Sequence, residues 1–260
     1  MADKLTIMEW NIHQQGLYCK DTPLPIWIID EFAGSDIVVL TEYCHRNNRS
    51  EEFVQAIREK GYHCVFSKNT GGNDILIAVK DCYPVVEHTF EACYGIDHIP
   101  ENLRVDIMVG EGIISVVGVR IKTVGYTERK TELEWLMKQI KDIANPIVIT
   151  GDFNNNQRKT IEKRWNLDVL DKCLLPGFAR ITPDGSSIFE EKSRSEFPED
   201  HFLAKGMTLE ALPYDREFCT RHKTIYQWGK DFQLYKGKDD VEHIRVGYPN
   251  HAILKGSIEF

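Results

Sequence analysis

Residues 147–157 read IVITGDFNNNQ: a run of apolar and β-branched residues stops at a glycine, and an acid, an aromatic and an amide follow. In an extended segment successive side chains point to opposite faces. Asp152 and Asn154 therefore share a face at the mouth of a buried strand, with Phe153 on the other. An Asx-rich turn would use the same residue types, since Gly, Asp and Asn all favour turns. The rest of the chain repeats the pattern. Asn11 ends LTIMEWNI, Glu42 ends DIVVLTE, Asp200 and His201 open DHFLAKG, and Asn250 and His251 lead into the last apolar run. One polar strand end is ordinary. Carboxylate, carboxamide and imidazole groups at so many of them point to a single cleft at one edge of the sheets.

These residue types suit phosphate chemistry assisted by a divalent metal. Mg²⁺ is a hard cation that takes one or two carboxylates and leaves its other positions to water and substrate phosphate. Glu42 with Asn11 suits that role. A hydrolytic water needs an anionic group to orient and deprotonate it, and Asp152 suits that. Charge developing on the phosphate oxygens calls for donors, for which Asn154 and His251 are candidates. A histidine working beside phosphate is commonly steered by a carboxylate, and Asp200 is the candidate.

The elements that must position these groups follow from periodicity. Strands are predicted over 5–12, 36–42, 62–66, 74–80, 83–90, 103–110, 112–123, 146–153, 200–206, 207–213 and 251–260. Helices are predicted over 23–33, 50–61 and 127–145, with a short one at 158–165. Ser50, Glu51 and Glu52 mark the start of the second helix and Gly61 its stop. In the third, Leu133, Leu136, Ile140 and Ile143 form one apolar stripe. No internal repeat or Pro/Gly/Ser linker interrupts the chain. The expectation is one mixed α/β domain spanning 1–260, with an irregular excursion at about 213–250. There Tyr214, Phe218, Tyr226, Trp228, Phe232 and Tyr235 alternate with Arg216, Arg221, Lys223, Lys230, Lys236 and Lys238. Such interleaving suits base stacking and phosphate contact. The plainer expectation, adopted here, is that the aromatics pack on the domain edge.

With 260 residues, 42% of them hydrophobic, the chain can bury a substantial core. Its formal net charge of −8 disfavours nonspecific polyanion binding driven by overall charge. A local basic groove remains compatible with it. The seven cysteines are scattered, with no C-x-x-C pair. That pattern reads as reduced structural thiols in a cytoplasmic protein. Cys219 and His222 have a ligand-like spacing, but no second pair accompanies them to make a zinc site. MADKLTIMEW lacks the apolar core of a signal peptide, and no apolar run reaches membrane-spanning length. The expectation is a monomer that engages no membrane.

Taken in order, WNI, LTE, TGDFN, EDH and NHAIL, spread over residues 5–258, resemble the endonuclease/exonuclease/phosphatase superfamily, whose fold is deoxyribonuclease-I-like. The resemblance implies a four-layer α/β/β/α sandwich: two packed, mostly antiparallel sheets flanked by helices. It also implies Mg²⁺- or Mn²⁺-dependent cleavage of a phosphoester. By position, Asn11 and Glu42 match the family's metal-side residues. Asp152 and Asn154 match its water-orienting acid and phosphate-side amide, and Asp200 and His251 match its acid–histidine pair. Arg104 resembles an arginine that some members place near the substrate phosphate; a surface salt bridge is the alternative.

Two positions depart from the pattern. Where the family usually closes on Ser-Asp-His, this chain has Pro249-Asn250-His251, and Asn250 keeps a carbonyl oxygen for metal or substrate but loses a charge. Where the family often has a histidine, this chain has Arg120, which can stabilise negative charge but cannot act as a general acid near neutral pH. The function expected is nuclease-type phosphodiester hydrolysis on nucleic acid or a nucleotide. Two alternatives stay open. One is hydrolysis of a small or lipid-linked phosphate ester. The other is a weakened member that binds phosphate ligands or a protein partner, against which the intact Glu42, Asp152, Asn154, Asp200 and His251 argue.

Overall fold

The β-rich runs become strands, and their apolar faces meet between two sheets. A computed structural model of the chain describes residues 4–13, 26–45, 50–67, 73–88, 101–122, 125–155, 165–190, 195–222, 233–236, 242–245 and 249–260. In chain order the elements are β1 (Lys4–Asn11), a 3-10 helix (Ile26–Phe32), β2 (Ile37–Tyr43), α1 (Ser50–Glu59), β3 (Tyr62–Phe66), β4 (Asp74–Lys80), β5 (Val85–His88), β6 (Glu101–Val109), β7 (Gly112–Arg120), α2 (Tyr126–Ile140), β8 (Ile147–Asp152), α3 (Leu167–Cys173), β9 (Ala179–Ile181), β10 (Ile188–Glu190), β11 (Ser195–Phe197), β12 (Asp200–Lys205), β13 (Thr208–Ala211), α4 (Phe218–Arg221), β14 (Gln233–Lys236), β15 (Glu242–Arg245) and β16 (Leu254–Glu259).

One six-stranded sheet runs β13-β16-β1-β2-β4-β3, the other β5-β6-β7-β8-β12-β9. Within them only β1–β2 and β7–β8 are parallel. Each parallel pair needs a crossover, which carries the 3-10 helix in one case and α2 in the other. Val39, Ile75 and Ile77 of the first sheet share one buried cluster with Val105, Ile107 and Val116 of the second. The sheets press closest at Gly118, where a Cβ would stand 2.5 Å from Ile75 Cγ2 and 2.9 Å from Val39 Cγ1. Outside the first sheet lie α1 and the 3-10 helix, burying Phe53, Ile57, Ile28 and Phe32. Outside the second, α2 and α3 bury Leu133, Leu136, Ile140 and Leu170 against Val117, Val119, Ile149 and Leu203. Each such aliphatic side chain contributes about 1.5–3 kcal/mol on burial. The layers are thus α/β/β/α, as the resemblance implies.

Several local expectations shift. The helix predicted over 23–33 is a 3-10 helix over Ile26–Phe32. The long helix ends at Ile140, short of 145. Pro146 disfavours helical backbone at Asn145, and the chain turns at Lys141 and Asp142 instead. Ile143 still packs beneath α2, from outside the helix. Ser50 is the first residue of α1 and its hydroxyl donates to His45 O at 2.6 Å. Residues 158–164 of the predicted short helix lie outside the described residues, as do Tyr226, Trp228 and Phe232 of the excursion; Trp165 is buried but not helical. Phe218 of that excursion packs edge-on against Trp10, with ring centroids 4.8 Å apart. Among the described residues no helix is long and apolar enough to cross a membrane.

Candidate active site

Strand register builds a row of charge across the second sheet. Glu101 of β6 lies opposite Arg120 of β7, Arg120 opposite Asp152 of β8, and Asp152 opposite Asp200 of β12. Side chains at matched positions of neighbouring strands point the same way. Here they point at the first sheet, which answers with Asn11 at the end of β1, Glu42 near the end of β2 and His251 ahead of β16. Three polar bridges result. Asn11 Nδ2 donates to Asp152 Oδ2 at 3.0 Å. Arg120 Nε donates to Glu42 Oε1 at 2.8 Å. His251 Nδ1 meets Asp200 Oδ2 at 2.8 Å.

The backbone is bent to present these groups. Between Leu40 and Tyr43 the β2–β4 register shifts, and there Glu42 takes a φ of 54°. A bulge of this kind re-aims a side chain, and the left-handed backbone is costly for a residue other than glycine. Asn154 has a φ of 47° and His13 also 47°. Short-range bonds hold both. Asn154 N donates to Asp152 Oδ1 at 2.8 Å, and His13 N donates to Asn11 Oδ1 at 2.9 Å. The glycine of GDFN has a steric reason of its own. At Gly151 a Cβ would stand 1.8 Å from Val119 O, and its φ is 148°.

Asp152 is the hub. Its Oδ2 accepts from both Asn11 and Asn154 Nδ2, the latter at 2.8 Å. Asn154 Nδ2 also donates to Ile121 O at 2.7 Å. Both amide hydrogens of Asn154 are therefore engaged within the protein. One of these bonds holds Asp152 in place, and both hydrogens that were expected to face a substrate phosphate are spent on the protein in this structure. Burial pushes the Asp152 carboxyl up to about 6, with His251 opposing and Asp200 reinforcing the rise. Burial opposes the charge on His251 too, yet Asp200 overrides it and pushes the imidazole up to about 10. His251 is thus an imidazolium near neutral pH, with Nδ1 committed to Asp200 and Nε2 left to donate elsewhere.

Arg120 carries the opposite charge into this row. Its Nη1 donates to Glu101 Oε2 at 2.9 Å, and its Nε lies 3.9 Å from Asp152 Oδ2. Burial disfavours ionised Glu42, but Arg120 and His13 outweigh it and hold the carboxyl well below the usual range. Glu9 and Glu199 go the other way: burial, reinforced by the neighbouring aspartates, lifts both well above it. Among the described residues no three or more His, Cys, Asp or Glu side chains are arranged to hold a metal ion. A metal here would rest on the Glu42 carboxylate and the Asn11 carbonyl oxygen.

The cluster thus gathers Asn11, Glu42, Arg120, Asp152, Asn154, Asp200 and His251. Arg104 is not in it. Three residues along β6 from Glu101, it points to the opposite face, where it donates to both carboxylate oxygens of Asp106 at 3.0 and 2.8 Å. Asn250 adjoins His251 in the chain, and its Oδ1 is buried with no hydrogen-bond partner among the described residues. Glu101, His13, Arg129 and Glu199 are additions from the structure. Arg129 of α2 donates to Asn154 O. Glu199, in EDH, and His13, in WNIH, stood beside quoted motifs; Glu101 had no signal beyond a charge at a strand start.

The sequence matches no family profile and no curated protein. Solved structures are similar throughout. A TDP2 from D. rerio, solved with a single-strand DNA product, aligns over 99% of this chain and 100% of its own at a TM-score of 0.64 and 13% identity. An endonuclease/exonuclease/phosphatase family protein from Bacteroides thetaiotaomicron aligns over 100% and 99% at 0.62 and 13%. ANGEL2, a 2′,3′-cyclic phosphatase, aligns over 99% and 95% at 0.62 and 13%. At these identities the likeness shows the fold, the two-sheet α/β/β/α sandwich that the deoxyribonuclease-I-like proteins share.

Proposed function

We propose that this chain is a divalent-metal-dependent phosphoesterase and that its substrate is a phosphodiester of nucleic acid. The observation that carries this reading is the convergence of Asp152 with Asn11, Asn154 and Arg120 beside the Asp200–His251 pair, at one end of both sheets. Asp152, raised by burial to about 6, is matched to take a proton from water near neutral pH. Asn11 and Asn154 fix its orientation. His251, kept protonated by Asp200, supplies a donor for developing charge on a phosphate oxygen. Arg120 adds a fixed positive charge nearby.

Mg²⁺ or Mn²⁺ fits this donor set. Glu42 is ionised and Asn11 offers a carbonyl oxygen, both hard ligands. Glu42 Oε1 is taken by Arg120, while Oε2 lies 3.5 Å from His13 Nδ1. The buried Asp200 Oδ1 has no hydrogen-bond partner among the described residues, a spare acceptor that suits an additional cation. When bound, the metal would polarise the phosphoryl group and offset its charge.

The nucleic-acid assignment draws support from the D. rerio relative solved with single-strand DNA. The net charge of −8 and the likeness to a cyclic phosphatase favour, as a second reading, a smaller phosphate ester. A panel of single-stranded DNA, duplex DNA, RNA, nucleotides and inositol phosphates, each with Mg²⁺ and with Mn²⁺, separates the two. Cleavage of a polynucleotide is expected. Turnover of the small esters alone would select the second reading, and inertness on every substrate would overturn both.

A further inference from the structure

We propose that Thr182, His201 and Asn155 form a one-way hydrogen-bond relay that positions the loop carrying Asn154, and through it Asp152. The proposal deepens the phosphoesterase reading and rests on it for its catalytic consequence. The direction is set from the inner end. The amide end of Asn155 donates to Pro198 O at 2.8 Å, which leaves Asn155 Oδ1 as an acceptor. His201 Nε2 lies 2.7 Å from that oxygen and therefore carries the ring proton. In the neutral ring Nδ1 is then unprotonated, and it accepts from the Thr182 hydroxyl 2.9 Å away. Arg180 can only donate, and its Nη1 donates to Thr182 Oγ1 at 2.6 Å. At the outer end, Arg180 is anchored by Asp171 through bonds of 2.7 and 2.8 Å.

The site uses the inner end. His201 and Asn155 are fully buried. Asn155 follows Asn154, whose left-handed backbone needs restraint on both sides. Before it stand the Asp152 bonds and the Phe153 N–H, which donates to Glu199 O at 2.8 Å; Arg129 holds its carbonyl oxygen, and Asn155 follows it. Burial and the nearby Arg180 hold the His201 imidazole down to about 3, so the ring stays neutral and the relay keeps its direction. His201 thus neighbours Asp200 in sequence but serves a different purpose: its two ring nitrogens bond Thr182 and Asn155, and it acts through Asn155.

The test pairs a spectroscopic readout with kinetics. Nitrogen-15 NMR of histidine-labelled wild-type protein should show His201 as the neutral Nε2–H tautomer, unchanged from about pH 5 to about pH 8. Thr182→Val removes the donor to Nδ1 and should blur that tautomer. With Mn²⁺ and bis(p-nitrophenyl) phosphate, it should also lower kcat by about tenfold or more while KM changes little. Thr182→Ser keeps the hydroxyl and should restore both. A wild-type His201 that is charged or protonated on Nδ1 would overturn the relay without any variant. A folded Thr182→Val protein with wild-type kcat would overturn its role in positioning. A wild type inert on the diester would count against the functional reading, and the tautomer would still decide the relay.

Discussion

At the scale of single residues, Arg120 is the cation at the centre of the cluster. It stands between Glu42, Glu101 and Asp152 and donates to the first two. An imidazole there could exchange a proton; the guanidinium cannot. Proton donation must then come from another group, and His251 is the charged imidazole in the cluster. Its removal is expected to cost about 10²–10⁴ in turnover while the protein stays folded. Steady-state rates of His251→Ala on the substrate identified by the panel check this. Asp200→Asn should cost less, because the ring survives and loses only the carboxylate that holds its proton. A folded His251→Ala enzyme with near wild-type turnover would transfer the main electrostatic role to Arg120. Asp152, Asp200 and His251 were legible in the sequence because each falls at the end of a strongly patterned strand. The bonding of Asn154 was not, since nothing in GDFN reveals that Ile121 O accepts its second amide hydrogen.

At the scale of elements, the long strands and α2 were legible because eight or nine alternating residues, or a stripe at helical spacing, leave little ambiguity. The elements missed are short: α3 has seven residues, α4, β14 and β15 have four each, and β9, β10 and β11 have three each. Three residues carry no period. Pairing across strands was also hidden, and that is why Glu101 went unnoticed: only the β6–β7 register sets it against Arg120. Arg104 lies outside the cluster for a related reason, since strand alternation turns it away from Glu101 and towards Asp106. Gly151 is where sequence and packing meet most tightly. Alanine there would place a Cβ 1.8 Å from Val119 O and force β7 and β8 apart at the row of charge. Gly151→Ala should be insoluble, or melt well below wild type by differential scanning calorimetry. A variant with wild-type melting would mean that the β7–β8 approach is looser than described.

For the molecule as a whole, the site sits where both sheets end, so stability and chemistry share the same buried charges. His251 shows the linkage. Its folded value is pushed up to about 10, whereas an unfolded histidine titrates near about 6.5. Between those values the folded state holds the extra proton. Its contribution is complete below about pH 6.5 and is lost as pH rises towards 10, by at most about 1.4 kcal/mol per pH unit. Urea unfolding from pH 7 to 10 should show this decline, and His251→Gln should flatten it. An equal slope in the variant would mean that the Asp200–His251 pair does not hold the proton. The four-layer fold was legible from the order of motifs; the three inter-sheet bridges were not, because they join residues far apart in the chain. The central claim is that this cluster hydrolyses phosphodiesters through Asp152 with a divalent metal. The most direct measurement is product release from end-labelled single-stranded DNA by matched preparations of wild type and Asp152→Ala, with Mg²⁺ or Mn²⁺ and with excess EDTA. Metal-dependent cleavage that EDTA abolishes and that Asp152→Ala lowers by about 10² or more is expected. Equal rates in the two proteins, or full cleavage in EDTA, would contradict it.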